Sequence, residues 1–324
     1  MEFIKGLKNL QLKHRGCVAT IGSFDGVHRG HKVILEQVKE KARELSLPSL
    51  VIVFEPQPHE YFSKRTAPAR LMCLREKACA LFEQGIERVL CLKFDNALRS
   101  LTARAYIENV LINGLRVRHL VIGDDFHFGC DRSGDFAMLC RVGKEHGFTV
   151  CDTQTQLEGG ERISSTRIRR SLDEDRLDHA HRLLGREYSI TGRVVYGDRL
   201  GRSLGFPTAN IGLGRYRTPV HGVYAVSVVC VADGSPLWDG IANVGVKPTF
   251  GKRAKPLLEV HLLDQNKELY GEFLTVVFKY KIRSEKRFSS IEELKFQIEK
   301  DCQKARQYFK DTKLNSISGR SRNK

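Results

Sequence analysis

Thr20-Ile21-Gly22-Ser23-Phe24-Asp25-Gly26-Val27-His28-Arg29-Gly30-His31 is the stretch that decides the reading of the N-terminal half. An apolar, β-branched run, Cys17-Val18-Ala19-Thr20-Ile21, leads into it, and a helical pattern beginning near Lys32 leads out. Strand, glycine-rich turn and helix in that order put residues 22–31 at the carboxyl end of a strand, where open α/β sheets keep their ligand crevice. Gly22, Gly26 and Gly30 let the backbone turn tightly and approach a ligand. His28 and His31 offer ring N–H donors or cations. The start of the helix adds unpaired N–H groups and a dipole that favours an anion. The turn therefore reads as an anion site.

The alternation continues outward from this turn. Strand candidates at 18–21, 50–54, 89–94, 119–122 and 148–151 are separated by helical patterns. The first helix has Val33, Ile34, Val38, Ala42 and Leu45 on one face; others fit 74–83, 102–113 and 134–146, with Gly85, Gly114 and Gly147 as stop signals. Strands alternating with helices predict a Rossmann-like α/β domain with a doubly wound parallel sheet. The loops hold the unusual residues. Phe54-Glu55-Pro56-Gln57-Pro58-His59-Glu60-Tyr61-Phe62 has two prolines that argue against helix, and its aromatics at 54, 61 and 62 suggest a wall for a flat ring. Gly123-Asp124-Asp125-Phe126-His127-Phe128-Gly129 sets aromatics beside carboxylates at another strand end. Ile163-Ser164-Ser165-Thr166-Arg167-Ile168-Arg169 places hydroxyl and guanidinium donors at a helix start, a combination suited to phosphate. The charged stretch 170–186 has a weak helical face and reads as the connector between domains, with His179 and His181 as surface residues.

From Gly185 the pattern changes. Strand-like runs at 188–195, 222–231, 238–244, 257–263 and 274–282 follow one another without helices, which predicts a small antiparallel barrel or sandwich. Inside it, Gly197-Asp198-Arg199-Leu200-Gly201-Arg202-Ser203-Leu204-Gly205-Phe206-Pro207-Thr208-Ala209-Asn210 is glycine-rich but lacks Gly-x-x-x-x-Gly-Lys-Ser/Thr, so it is no P-loop. Its glycines and arginines still suit phosphates through backbone N–H groups. Thr208 and Asn210 supply neutral oxygens of the kind that hold Mg2+ together with nucleotide phosphates. Glu259 is either a base for a hydroxyl proton or the solvent-side residue of a half-exposed strand. A capping box at Ser289 and Glu292 starts a late helix with Ile291, Leu294, Ile298, Ala305 and Phe309 on its apolar face. Beyond Asp311 the basic tail is expected to be disordered.

Composition narrows the class. At 324 residues, 41% hydrophobic and 28% charged, the chain is long enough for two globular domains. No apolar run is long enough to span a bilayer, and no secretory signal is read at Met1-Glu2-Phe3-Ile4-Lys5-Gly6. Nine scattered cysteines, none in Cys-x-x-Cys, fit buried free thiols in a reducing cytoplasm rather than a disulfide framework or a zinc site. A net charge of +16 suits nucleic acid, acidic lipid or polyphosphate ligands. The basic residues are spread along the chain and no RNA-reading or zinc-finger motif accompanies them, so no nucleic-acid partner is assigned; self-association is left open.

The motifs together resemble the bifunctional bacterial riboflavin kinase/FAD synthetase family. The 22–31 stretch resembles its His-x-Gly-His signature, 163–169 its Ile-Ser-Ser-Thr-x-x-Arg signature, 123–129 its Gly-x-Asp-Phe-x-Phe-Gly segment and 205–210 its Gly-Phe-Pro-Thr-Ala-Asn motif. The resemblance implies an FMN adenylyltransferase domain at 1–182, a riboflavin kinase β-barrel at 183–311 and a tail at 312–324. It implies ATP as co-substrate, riboflavin and FMN as flavin substrates, and Mg2+. His28 and His31 would stabilise charge on the ATP phosphates, with Gly22, Phe24, Asp25, Gly30, Ser164, Thr166 and Arg167 binding nucleotide. Phe62, Tyr106, Asp125, Phe126 and Phe128 would bind flavin. In the kinase half Gly197, Arg202, Gly205, Thr208 and Asn210 would bind nucleotide, Thr208 and Asn210 the metal, and Glu259 would be the base. Gln57 and His59 stand where the family often has histidine and then arginine. A cytidylyltransferase of the same superfamily would share the histidine and Ile-Ser-Ser-Thr elements but leaves the second half unexplained, and a class I aminoacyl-tRNA synthetase would share the histidine element, but the chain is short for that role and has no Lys-Met-Ser-Lys-Ser.

Overall fold

The computed structural model describes residues 1–63, 66–123, 125–130, 132–197, 201, 204–232, 237–249, 252–265 and 267–320, with backbone alone at 246–249, 252–255 and 315–320. Two compact units result. The first is Met1–Pro68 with Leu74–Arg167, the second Ala69–Cys73 with Ile168–Lys324.

The first unit holds one parallel sheet. Its strands are β1 (Glu2–Lys5), β2 (Val18–Ile21), β3 (Ser49–Glu55), β4 (Arg88–Lys93), β5 (His119–Gly123) and β6 (Thr149–Thr153), in the order β1-β4-β3-β2-β5-β6. Leu50, Val51, Ile52 and Val53 have no exposed surface, as expected for a strand covered on both faces. The chain passes from β2 to β3 on one side and returns to β5 on the other, so the order reverses at β2. The turn after β2 therefore opens at the switch point of the sheet. The edge strand β1 is one that residue pattern missed: four residues of alternating exposure make no apolar run.

Helix α1 (Arg29–Glu44) begins earlier than Lys32 because His28 is its N-cap. Leu35, Val38 and Ala42 form its buried face, while Leu45 lies past its end and is exposed. The expectation of no helix in the 54–62 loop is corrected: α2 (Pro58–Phe62) starts at the second proline. Proline is tolerated at the first helical position, where its missing N–H would have no intrahelical partner. Helix α3 (Leu74–Glu83) lies where the pattern put it. The short α4 (Asn96–Arg99) precedes α5 (Ala103–Tyr106), which passes into a π-helical segment, Ile107–Gly114. Helix α6 (Phe136–His146) ends at Gly147 in the left-handed conformation.

A two-stranded hairpin, β7 (Leu157–Glu158) and β8 (Glu161–Arg162), leads to α7 (Ser165–Asp173) and α8 (Leu177–Leu184). The units part inside α7, between Arg167 and Ile168, whereas the sequence put the boundary at 182. The stretch read as a connector is built into the second unit, with Leu172, Leu177, Ala180, Leu183 and Leu184 buried. His179 and His181 are half-buried rather than surface residues, and His179 Nδ1 lies 2.8 Å from Ser171 Oγ.

Six strands close the second unit into an antiparallel barrel. They are β9 (Ser189–Val195), β10 (Ala209–Gly212), β11 (Gly222–Cys230), β12 (Trp238–Thr249), β13 (Lys252–Leu262) and β14 (Phe273–Arg283), in the order β10-β13-β12-β11-β14-β9. Strand β10 had been read only as the end of a loop. Helix α9 (Ile291–Arg320) runs past Asp311, so residues 312–320 are helical rather than disordered. Val223, Ala225, Ile241, Cys302, Ala305 and Phe309 join barrel and helix in one core. Ile291 is 58% exposed and does not belong to that face. The cap is one residue later than expected: Ser290 Oγ accepts from the Glu293 N–H at 3.1 Å, and the Glu293 carboxylate takes the Ser289 N–H at 3.0 Å.

Candidate active sites

In the first unit the turn between β2 and α1 is tightly built. Phe24 and Val27 hold positive φ angles of 45° and 39° although neither is glycine, a conformation kept only where surrounding structure enforces it. Both side chains are buried, and the Phe24 ring lies against Gly22, where a Cβ would come within 3.1 Å of it. His28 Nδ1 accepts the His31 N–H at 3.3 Å. The two imidazoles stack with centroids 3.6 Å apart and planes 16° from parallel. With Nδ1 accepting, Nε2 carries the proton in neutral His28 and is the nitrogen able to donate outward. A Cβ on Gly30 would stand 3.3 Å from both the His28 ring and the Ile163 carbonyl.

The 163–167 segment reaches this turn directly. Ser165 Oγ donates to the Asp25 carbonyl at 2.8 Å. Ser164 takes the capping role, its Oγ accepting from the Arg167 N–H at 3.2 Å. Arg167 donates to the Glu158 and Glu161 carbonyls at 2.8 and 2.9 Å, which ties α7 to the β7–β8 hairpin. Thr166 is exposed and Asp25 buried. Ser165 is a member of the cluster that sequence reading left out. Its place in Ser-Ser-Thr was visible, but which hydroxyl faces the turn depends on the phase of α7.

The expected flavin residues fall in two groups. Tyr106, Phe126 and Phe128 pack together, with Phe126 and Phe128 stacked at 5.4 Å and Tyr106 at 5.6 Å from Phe128. Tyr106 and Phe128 are core residues, and burial pushes the Tyr106 phenol pKa up. Phe128 leaves no room for a side chain at Gly134, where a Cβ would lie 2.6 Å from its ring. Asp125 is exposed and pairs with Arg162 at 2.9 Å, which holds its carboxyl below the usual range. Phe62 belongs to a separate group: it lies 5.9 Å from Phe94 and 5.6 Å from Tyr61, and Phe54 completes the set.

In the second unit a cavity of about 210 Å³ is lined by Thr208, Asn243, Glu259, Arg283 and Asp301 among others. Barrel register explains it. Asn210 on β10 and Asn243 on β12 both stand directly opposite Glu259 on the intervening β13, so the three side chains share one face. Asn210 is buried against Gly197, where a Cβ would fall 2.2 Å from its Nδ2. Gly205 has open space around it and φ of +88°, so there glycine serves the backbone conformation. His261 Nδ1 lies 2.8 Å from the Pro207 carbonyl and braces the loop before β10. Asp301 grips the Arg283 guanidinium through Nε at 2.9 Å and Nη2 at 2.8 Å. Asn243 and the Arg283–Asp301 pair had no local motif to reveal them. Arg202 and residues 198–200 lie outside the described residues. The Thr208 hydroxyl and the Asn210 carboxamide are hard oxygen donors, which suit Mg2+ held jointly with phosphates.

The two halves match two family models. One described as FAD synthetase covers residues 10–167, and one described as riboflavin kinase covers 184–309. A bifunctional riboflavin kinase/FMN adenylyltransferase of Pseudomonas fluorescens is 53% identical over 306 residues, 94% of this chain and 97% of the relative. One of Escherichia coli is 50% identical over 314 residues, 97% of this chain and 99% of the relative. A crystal structure named as a macrolide-efflux protein from Streptococcus pneumoniae superposes with a TM-score of 0.75 at 29% identity, over 94% of this chain and 98% of that one. Among the described residues no helix is long and apolar enough to cross a membrane. With both domain models in order and relatives matching along nearly their whole length, the chain belongs to the bifunctional riboflavin kinase/FMN adenylyltransferase family, which phosphorylates riboflavin to FMN and adenylates FMN to FAD.

Proposed function

We propose that the two reactions of the family run at the two clusters above, each within its own unit. At the β2–α1 turn an FMN phosphate oxygen attacks the α-phosphorus of ATP and pyrophosphate leaves. His28 Nε2–H and His31, with the N-terminal amides of α1, stabilise the charge that develops on the phosphates. Ser164, Ser165 and Arg167 shape the opposite wall and Phe62 offers the exposed ring for the flavin. In the barrel the 5′-hydroxyl of riboflavin attacks the γ-phosphorus of a second ATP, ADP leaves, and Glu259 takes the hydroxyl proton. Thr208 and Asn210 would hold Mg2+, which screens the phosphate charge when bound. Neither step needs a covalent intermediate on the chain; positioning and charge stabilisation suffice. A cytoplasmic setting accords with nine cysteines that form no disulfide.

The observation that carries the reading is that each motif pair closes within one unit: Ser165 on Asp25 in the first, Glu259 between Asn210 and Asn243 in the second. The test is to separate the flavin products by chromatography. His31→Ala lowers FAD formation from FMN by about 10²-fold and leaves FMN formation intact. Glu259→Gln does the reverse. Loss of both activities from either folded variant would refute separate sites.

A further inference from the structure

The histidine turn lies at the carboxyl ends of the parallel strands. The amino ends of the same sheet hold a cleft of their own, about 480 Å³ in volume. It opens between the last turns of α1 and the segments that lead from α1 into β3 and from α3 into β4. Lys39, Arg43, Ser46, Ser49, Glu87 and Arg88 supply its polar groups, and among the described residues no aromatic ring lines it. Arg88 is the first residue of β4 and stands opposite Leu50 of β3, so the ladder fixes its backbone. Its Nη1 is out of water and has no hydrogen-bond partner among the described residues. A guanidinium keeps its charge, and buried donors are rarely left unmatched in folded proteins.

The acceptors around the cleft are already engaged. Glu87 Oε1 takes the Ser49 N–H at 3.0 Å and the Ser49 hydroxyl at 3.4 Å. The closing carbonyls of α1 are met from its own end: the Leu45, Ser46 and Leu47 N–H groups donate to Lys41, Arg43 and Ala42 at 3.0, 3.1 and 2.9 Å. At the end of α3 the Gly85 and Ile86 N–H groups likewise take the Phe82 and Leu81 carbonyls. Lys39 and Arg43 pair with Glu36 at 2.6 and 3.3 Å, but Glu36 is half exposed, and such pairs contribute little and yield to a stronger anion. Cations therefore stand on two walls, Arg88 on β4 and Lys39 with Arg43 on α1. The volume exceeds what one phosphate fills and lies in the range of small-ligand sites. With no ring to stack on, the cleft does not suit a nucleobase or a flavin, whereas a guanidinium fork suits phosphoryl oxygens. We propose that this cleft is a second anion site of the first unit, taking a diphosphate group with one phosphoryl on Arg88 and the other on Lys39 and Arg43.

The experiment titrates the full chain with inorganic pyrophosphate and follows the side-chain 15N–Hε signal of Arg88, identified by its loss in Arg88→Lys. The signal is expected to move and saturate with a Kd below about 1 mM, and inorganic phosphate is expected to bind about tenfold more weakly because it reaches one wall only. The response is expected to persist in His31→Ala, since that residue lies at the other end of the sheet. Arg43→Gln, a change at an exposed side chain that the fold tolerates, is expected to weaken pyrophosphate at this signal about tenfold. FMN and FAD formation are expected to stay unchanged in Arg43→Gln. An Arg88 signal unmoved by pyrophosphate overturns the proposal. So does an equal shift from sodium chloride at matched ionic strength, which would be screening alone, or a response lost in folded His31→Ala, which would be relayed from the histidine turn. Unaltered affinity in Arg43→Gln overturns it as well.

Discussion

At Gly197 a single added carbon would fall 2.2 Å from Asn210 Nδ2 and 2.6 Å from Oδ1. The glycine read from sequence as part of a phosphate-wrapping loop is thus also the space into which Asn210 folds back. Asn210 in turn stands opposite Glu259 in the barrel. A misplacement of about 1 Å at a phosphoryl-transfer site can cost about 10²-fold in rate. Gly197→Ala is therefore expected to reduce FMN formation by about that factor and to leave FAD formation from supplied FMN unchanged, which a two-substrate assay reads directly. The same logic separates Gly30, hemmed in by the His28 ring and the Ile163 carbonyl, from Gly147, which meets nothing within 4 Å and serves only a helix end.

Among the elements, α9 closes the barrel and also supplies Asp301 to the cavity wall. The Asp301 carboxylate is 1% exposed and binds Arg283 at the end of β14, while Gln297 Nε2 donates to it at 2.9 Å. Removing the acid takes away the carboxylate that pairs with a guanidinium mostly out of water, which costs about 3–5 kcal/mol for buried pairs. Asp301→Ala is accordingly expected to destabilise the second unit by about 3 kcal/mol in denaturant unfolding. Loss of the exposed cap in Ser290→Ala is expected to cost about 1 kcal/mol. Equal costs for the two would show that the clamp adds nothing to the helix. Element α2 shows the limit of counting prolines: Pro58 sits where helices accept proline, and Glu60 satisfies the amide before it.

Over the whole molecule the nine cysteines report on burial in both units. Cys17, Cys91, Cys230 and Cys302 are buried, Cys79 and Cys130 exposed, and none is in a disulfide. Burial pushes the Cys17 thiol up to about 12 and those of Cys91 and Cys302 to about 11. These groups stay protonated and unreactive at neutral pH, since the thiolate is the nucleophile. A thiol reagent is therefore expected to react fast at Cys79 and Cys130 in the native chain, and to count nine only after denaturation, with or without reductant. A count below nine in denaturant would reveal a disulfide, and nine fast thiols in the native chain would contradict the buried set.

The sequence by itself determined the change from alternating strands and helices to successive strands, and the motifs around His28, Ser164 and Thr208. Those features are local: periodicity, glycine turns and cap chemistry act within a few residues, where short-range forces decide. Strand β1 (Glu-Phe-Ile-Lys) and strand β10 (Ala-Asn-Ile-Gly) escaped because neither carries the apolar run that marked the equally short β2, and their place is set by neighbours that sequence distance conceals. Only the tertiary structure decided that β2 is the switch point, that Ser165 meets Asp25, and that Asn243 faces Glu259. Each of these depends on register between strands or on the phase of a helix. A shift of one residue would point every side chain of a strand to the other face, and no single stretch of chain records which register wins.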